Sequence, residues 1–141
     1  MVNVGGSRMS TFELGQELEP QTFIINRELL VGYANASGDQ NPIHQDEEFA
    51  KSVGLENVIA HGMFTMALAG RYASSFAGSA AVRELSARFV KPVVVPANTD
   101  VELIVSGKVL DITENVMKIE LTAITGGVKV LGMAKAVIAL S

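Results

Sequence analysis

Gly62-Met63-Phe64-Thr65-Met66-Ala67-Leu68-Ala69-Gly70-Arg71-Tyr72-Ala73-Ser74-Ser75-Phe76 is the stretch that decides the fold. Its apolar residues run almost all the way round a helical wheel and are interrupted mainly by Arg71, Ser74 and Ser75. A helix of that kind is buried on most sides, not laid on a surface. Gly78 follows where such a helix would stop. The rest of the chain must therefore supply the cover.

Downstream the periodicity changes to that of strands. Residues 82–95 alternate through Leu85, Ala87 and Phe89 before a break at Lys91-Pro92, and 101–112, 116–124 and 128–140 follow as further strands. Turn chemistry at 111–115 and 125–127 joins consecutive strands as hairpins. Upstream, Thr22, Phe23, Ile24 and Ile25 form a β-favouring run. Asn26 can cap a helix reaching Ala36, and Asp46 can cap a short one that closes at Gly54. One strand, helices, then four strands predict an α+β domain with an antiparallel meander wrapped around the 62–76 helix. The sheet's outer face and edges need cover, which predicts a dimer.

The chain has 141 residues, which sets one domain over 11–141, preceded by a flexible extension at 1–10 containing Gly5-Gly6-Ser7. Net charge is −4 without any basic block, which argues against nucleic acid and anionic membrane surfaces. No apolar run approaches the roughly 18 residues of a membrane span, and no signal-peptide pattern opens the chain. With no cysteine, disulfides are excluded. These features together predict a soluble, cytoplasmic protein. At 48% hydrophobic and 6% aromatic residues the core must be aliphatic, with apolar surface left for a subunit interface.

Both of the chain's histidines stand in segments that look built for a site. His44 closes Gly38-Asp39-Gln40-Asn41-Pro42-Ile43-His44. Pro42 forces Asn41 out of the helical region, so this loop can turn Asp39 and His44 toward one point. Imidazole suits proton transfer near neutral pH, a carboxylate can orient it, and the Asn41 amide can fix the loop or hold substrate. The plainer alternative is an Asx turn by Asp39 and Asn41 with His44 as a structural residue. His61 and Gly62 mark the helix start, where free N–H groups could stabilise an oxyanion or enolate and a glycine lets a carbonyl approach. Here too a tight-turn glycine is the plainer alternative. Neither an HxxxH nor an HxH spacing occurs, so no metal is expected. Met63 and Met66 read as core, with a second role as an acyl-tunnel wall left open.

The run Tyr33-Ala34-Asn35-Ala36-Ser37-Gly38-Asp39-Gln40-Asn41-Pro42-Ile43-His44, with Ala50 six positions on, resembles the hydratase-2 motif of MaoC-like (R)-specific enoyl-thioester hydratases and 3-hydroxyacyl-thioester dehydratases. Ala60-His61-Gly62-Met63 resembles the start of that family's central helix, and Arg88-Phe89-Val90-Lys91-Pro92 also fits. The resemblance covers residues 12–141. It implies a hot-dog fold, a sheet curled around the 62–76 helix and paired side by side. Asp39 and His44 are then the catalytic pair, with the Gly62 N–H on the thioester carbonyl and Asn41 and His61 beside it. It implies no cofactor, and an acyl-CoA or acyl-carrier-protein thioester as substrate. The likeness extends to catalytic B-type subunits of heteromeric fatty-acid-elongation dehydratases, so a homodimer and a heterodimer with another hot-dog subunit both stand. Ala36 and Gly70 depart from the family: some relatives have a serine at the latter place. A thioesterase and a non-catalytic acyl-binding subunit are the rival readings on the same fold.

Overall fold

The computed structural model describes residues 11–140; the extension expected at 1–10 lies outside them. Strand β1 (Glu17–Ile25) leads into helix α1 (Arg27–Ser37). The Asn26 side chain accepts the Leu29 N–H at 3.0 Å, and Gly38, at φ 84, closes the helix in a left-handed conformation. A short helix α2 (Glu47–Ser52) is capped by Asp46, which accepts the Phe49 N–H. The apolar helix α3 (Gly62–Ser74) follows. Then come β2 (Val82–Phe89), β3 (Val101–Thr113), β4 (Val116–Thr125), the two-residue β5 (Val128–Lys129) and β6 (Leu131–Ala139).

The strands form one antiparallel sheet in the order β1-β3-β4-β6-β2, with β5 beside β4. The expected hairpins are present. Glu114 and Asn115, at φ 51 and 64, turn β3 into β4, and Gly126 and Gly127, at φ 54 and 77, turn β4 into β5. The four expected strands are neighbours, but the meander order holds only for β3, β4 and β6, because β2 crosses to the far edge and pairs with β6.

Its connection explains why. Pro92 and Pro96 remove donors a hairpin ladder would need, and the chain between them pairs elsewhere. Ala60 N–H donates to Val93 O at 2.9 Å, and Val95 N–H donates to Val58 O at 2.8 Å. The predicted strand over 82–95 is therefore an edge strand followed by a separate segment that braces the residues leading into α3.

Helix α3 packs against β2, β3 and β6, so the sheet curls around it as expected. Thr65, Leu68, Ala69, Tyr72 and Ala73 are buried, and the Tyr72 hydroxyl donates to Glu19 O at 2.8 Å. Burial on most sides does not hold within one chain. Met63 is 61% exposed, and Ala67 and Arg71, one and two turns on, are exposed as well. These three positions form a single stripe that the sheet does not reach. Among the described residues no helix is long and apolar enough to cross a membrane.

Candidate active site

The loop after α1 is organised by its own side chains. Asp39 N–H donates to Ser37 Oγ, Asp39 Oδ1 accepts the Asn41 N–H at 3.2 Å, and Asn41 Oδ1 accepts the Ile43 N–H at 3.2 Å. Pro42 opens the short 3-10 turn Pro42–His44 that Asn41 caps. The Asx-turn alternative is thus real, and it coexists with a cluster. Two successive Asx turns are the device that brings Asp39 and His44 to one place.

His44 is 6% exposed. Its Nδ1–H donates to the Ile59 carbonyl at 2.7 Å, which leaves Nε2 as the unprotonated nitrogen of the neutral ring. Burial pushes its pKa below the ordinary histidine value. The Ile59 bond opposes that shift, the neighbouring His61 adds to it, and Asp39 opposes it. His61 is 1% exposed, and its Nε2–H donates to the backbone carbonyl of Asp39 at 3.1 Å. The two imidazoles stack with centroids 3.8 Å apart and planes 22° from parallel. Tyr33 lies 4.7 Å from His61, its ring tilted by 58°, and stacks on Phe64 at 5.1 Å.

An Asp39 carboxylate oxygen and a ring nitrogen from each histidine lie within 4.8 Å of one another. Two histidines and an aspartate could suggest a metal, but stacked rings hold their in-plane lone pairs side by side instead of converging on one ion. His44 Nδ1 and His61 Nε2 donate to backbone carbonyls, which leaves His44 Nε2 and His61 Nδ1 as the bare nitrogens. The arrangement suits proton transfer better: a carboxylate oxygen and an imidazole nitrogen within 4.8 Å of each other can address the same small group.

Gly62 begins α3. No side chain caps that start, and among the described residues nothing accepts the Gly62 N–H, which stands at the positive end of the helix dipole. A cleft of about 330 Å³ opens here, with His44, Gly62, Thr65, Phe89, Lys91 and Val130 on its walls. An ideal Cβ at Gly62 would come within 3.2 Å of the Phe89 ring, so the glycine is what lets that ring lie close. Of the residues expected from sequence, Asp39, His44 and His61 are brought together, with Gly62 next to His44 on the cleft. Asn41 is exposed and holds the loop, away from the cleft wall.

Two participants escaped the sequence reading. Thr65 is 3% exposed and lines the cleft. As the one hydroxyl residue between Gly62 and Gly70 it carried a usable signal. The Ile59 carbonyl that sets the His44 tautomer carried none, being backbone.

Comparison with known proteins fits this geometry. A 66-residue segment is 48% identical to 3-hydroxyacyl-thioester dehydratase X of Mycobacterium tuberculosis, covering 46% of this chain and 22% of that protein. The chain spans less than half the length of the curated relatives it matches. A solved MaoC-like dehydratase superposes with TM-score 0.89 at 34% identity, over 92% of this chain and 41% of that one. An (R)-hydratase from A. caviae superposes with TM-score 0.79 at 25% identity, over 94% of this chain and all of that one. Residues 10–137 match the family described as the MaoC like domain, and the chain belongs to that family.

Proposed function

We propose that the chain catalyses reversible dehydration of (3R)-hydroxyacyl thioesters to trans-2-enoyl thioesters, or the hydration reverse, in fatty-acid metabolism. The observation that carries this reading is one cleft lined by both His44, whose ring has its Nε2 free and a nitrogen within 4.8 Å of the Asp39 carboxylate, and Gly62, whose N–H is unclaimed. In the dehydrating direction the pair removes the C2 proton, with His44 as chief proton carrier and Asp39 as partner. Electron density moves toward the thioester oxygen, where the Gly62 N–H stabilises it. The C3–O bond then breaks, and the departing hydroxide takes a proton from the pair to leave as water. The thioester itself acidifies C2, so no redox cofactor or metal is required.

The dehydratase and hydratase names of the relatives support the reaction class and a thioester substrate, delivered on CoA or acyl-carrier protein. Cytoplasmic residence suits such a substrate. Pairing with a second hot-dog subunit, identical or different, is supported by exposed apolar residues at Met63, Phe89, Val90 and Met133.

The test is hydration of crotonyl-CoA by the purified chain, with Asp39→Asn and His44→Ala alongside. In Asp39→Asn the amide oxygen still accepts the Asn41 N–H, so the loop survives while the carboxylate is lost. The expected loss is about 10²–10⁴-fold in each variant, the scale of a general acid–base group. Full activity in both variants would overturn the assignment, and release of free CoA would point to thioester hydrolysis instead.

A further inference from the structure

We infer that His61 is a positioning residue, which fixes the Asp39 backbone through Nε2–H and backs the His44 imidazole with its ring. This rests on the proposed Asp39/His44 chemistry and assigns a role to a histidine that does not itself line the cleft.

The starting point is an apparent defect. His61 Nδ1 is buried without a hydrogen-bond partner, the one such side-chain atom among the described residues. A buried acceptor left unpaired lowers stability, and an apolar ring of similar shape would remove that penalty. Folding alone therefore does not favour a histidine here. What the imidazole adds is its other nitrogen and its face. Nε2–H holds the Asp39 carbonyl at 3.1 Å, across 22 positions of sequence. The ring lies 3.8 Å from the His44 centroid, close to parallel. Tyr33 closes one flank at 4.7 Å and limits how far the ring can turn.

The placement of His61 in the chain adds weight to this. It immediately precedes Gly62, whose N–H is the candidate oxyanion donor. One side chain thereby ties the helix start to the backbone of the carboxylate residue and to the plane of the imidazole. A shift of about 1 Å in such a constellation is enough to slow chemistry about 10²-fold. The titratable and charged groups around His44 are Asp39 on its loop, His61 in the stack, Tyr33 behind His61 and Lys91 on the cleft wall. His61 is the one of these in ring contact with His44.

Two substitutions separate the contributions. His61→Phe keeps a planar ring and removes both nitrogens; His61→Gln keeps a donor for the Asp39 carbonyl and removes the aromatic face. For His61→Phe the expectation is a melting temperature at or above that of the unaltered chain, with kcat for crotonyl-CoA hydration down at least tenfold and KM within threefold. His61→Gln should keep a larger share of kcat. In both, the acid limb of the pH–rate profile moves to higher pH, because a neighbour that lowers the His44 pKa is gone. The chain has only two histidines, so each variant leaves a single imidazole to follow by NMR. Its titration should move to higher pH, a readout independent of turnover. If the unaltered chain does not hydrate crotonyl-CoA, the functional reading falls while the NMR arm still decides the role of His61. An unmoved His44 titration together with kcat within twofold overturns the inference, as does a rise in KM at unchanged kcat. Should His61→Phe fail to fold, the same criteria apply to His61→Gln.

Discussion

Substituting Gly62 by alanine tests the helix start with almost no change in the chain's chemistry. The new methyl would lie 3.2 Å from Phe89 Cζ and 3.3 Å from Cε1 and Cε2, a few tenths of an ångström inside ordinary contact. Phe89 is 54% exposed, so its ring tilts away instead of forcing the backbone. The strain should fall at or below the low end of the roughly 1–3 kcal/mol typical of overpacking, offset in part by alanine's better helix propensity. Stability should thus change by no more than about 1 kcal/mol. Catalysis is more sensitive, because an oxyanion donor must sit about 2.7–3.1 Å from the developing charge. A methyl and a displaced ring beside that N–H should cost about 10²-fold in kcat/KM, or about 2.7 kcal/mol. The assay is 2-enoyl-CoA hydration beside a thermal melt. Adding Phe89→Ala assigns the loss: recovery blames the ring, and no recovery blames the methyl. A Gly62→Ala chain with an unchanged melt and kcat/KM within threefold of the parent refutes the reasoning.

The lowered His44 pKa has two consequences of the same sign. In the proposed reaction neutral His44 takes the C2 proton, so kcat/KM should hold through the ordinary histidine range and fall only at lower pH, as a pH–rate profile would report. Below about pH 6.5 the unfolded chain binds a proton that folded His44 still refuses, so stability should decline as pH falls through that window. Denaturant midpoints that are flat in pH for the parent and for His44→Gln alike would contradict this. Arg27→Ala should lower stability by about 1–3 kcal/mol, from loss of the Nε bond to Val95 O at 2.7 Å and the Nη2 bond to Asn57 Oδ1 at 2.9 Å. The surface pair with Glu47 adds little. An unchanged urea midpoint would count against that clamp.

Local chemistry made much of this molecule readable in advance. Asn26, Asp46, Gly38 and the Asn115 and Gly126-Gly127 turns act within a few residues, and each does what its type dictates. The position of β2 is a different matter. Its alternating pattern names a strand but no neighbour, and the choice of β6 depends on where the proline-broken segment finds its partners at 58–60. The same limit applies to α3. Its apolar wheel was legible, yet composition does not say that Met63, Ala67 and Arg71 would face away from their own sheet. In the site, Asp39 and His44 stood out because their loop is built by short-range turns. The contact of Phe89 with Gly62 and the bond from His44 to Ile59 join distant parts of the chain and left no mark in the spacing.

The bond between His44 Nδ1 and the Ile59 carbonyl bears on how portable this site is. The segment from Ser37 to His44 holds its own turns, so a transplanted copy would bring its carboxylate in roughly the right pose. It would not bring the acceptor that decides which imidazole nitrogen is bare. A recipient scaffold with the loop alone would let the ring rotate and exchange tautomers, spending part of its time with the proton on the wrong side. Transfer of function therefore has to include the strand-like residues 58–60 and the helix they lead into, or the recipient acquires a motif without its reactivity.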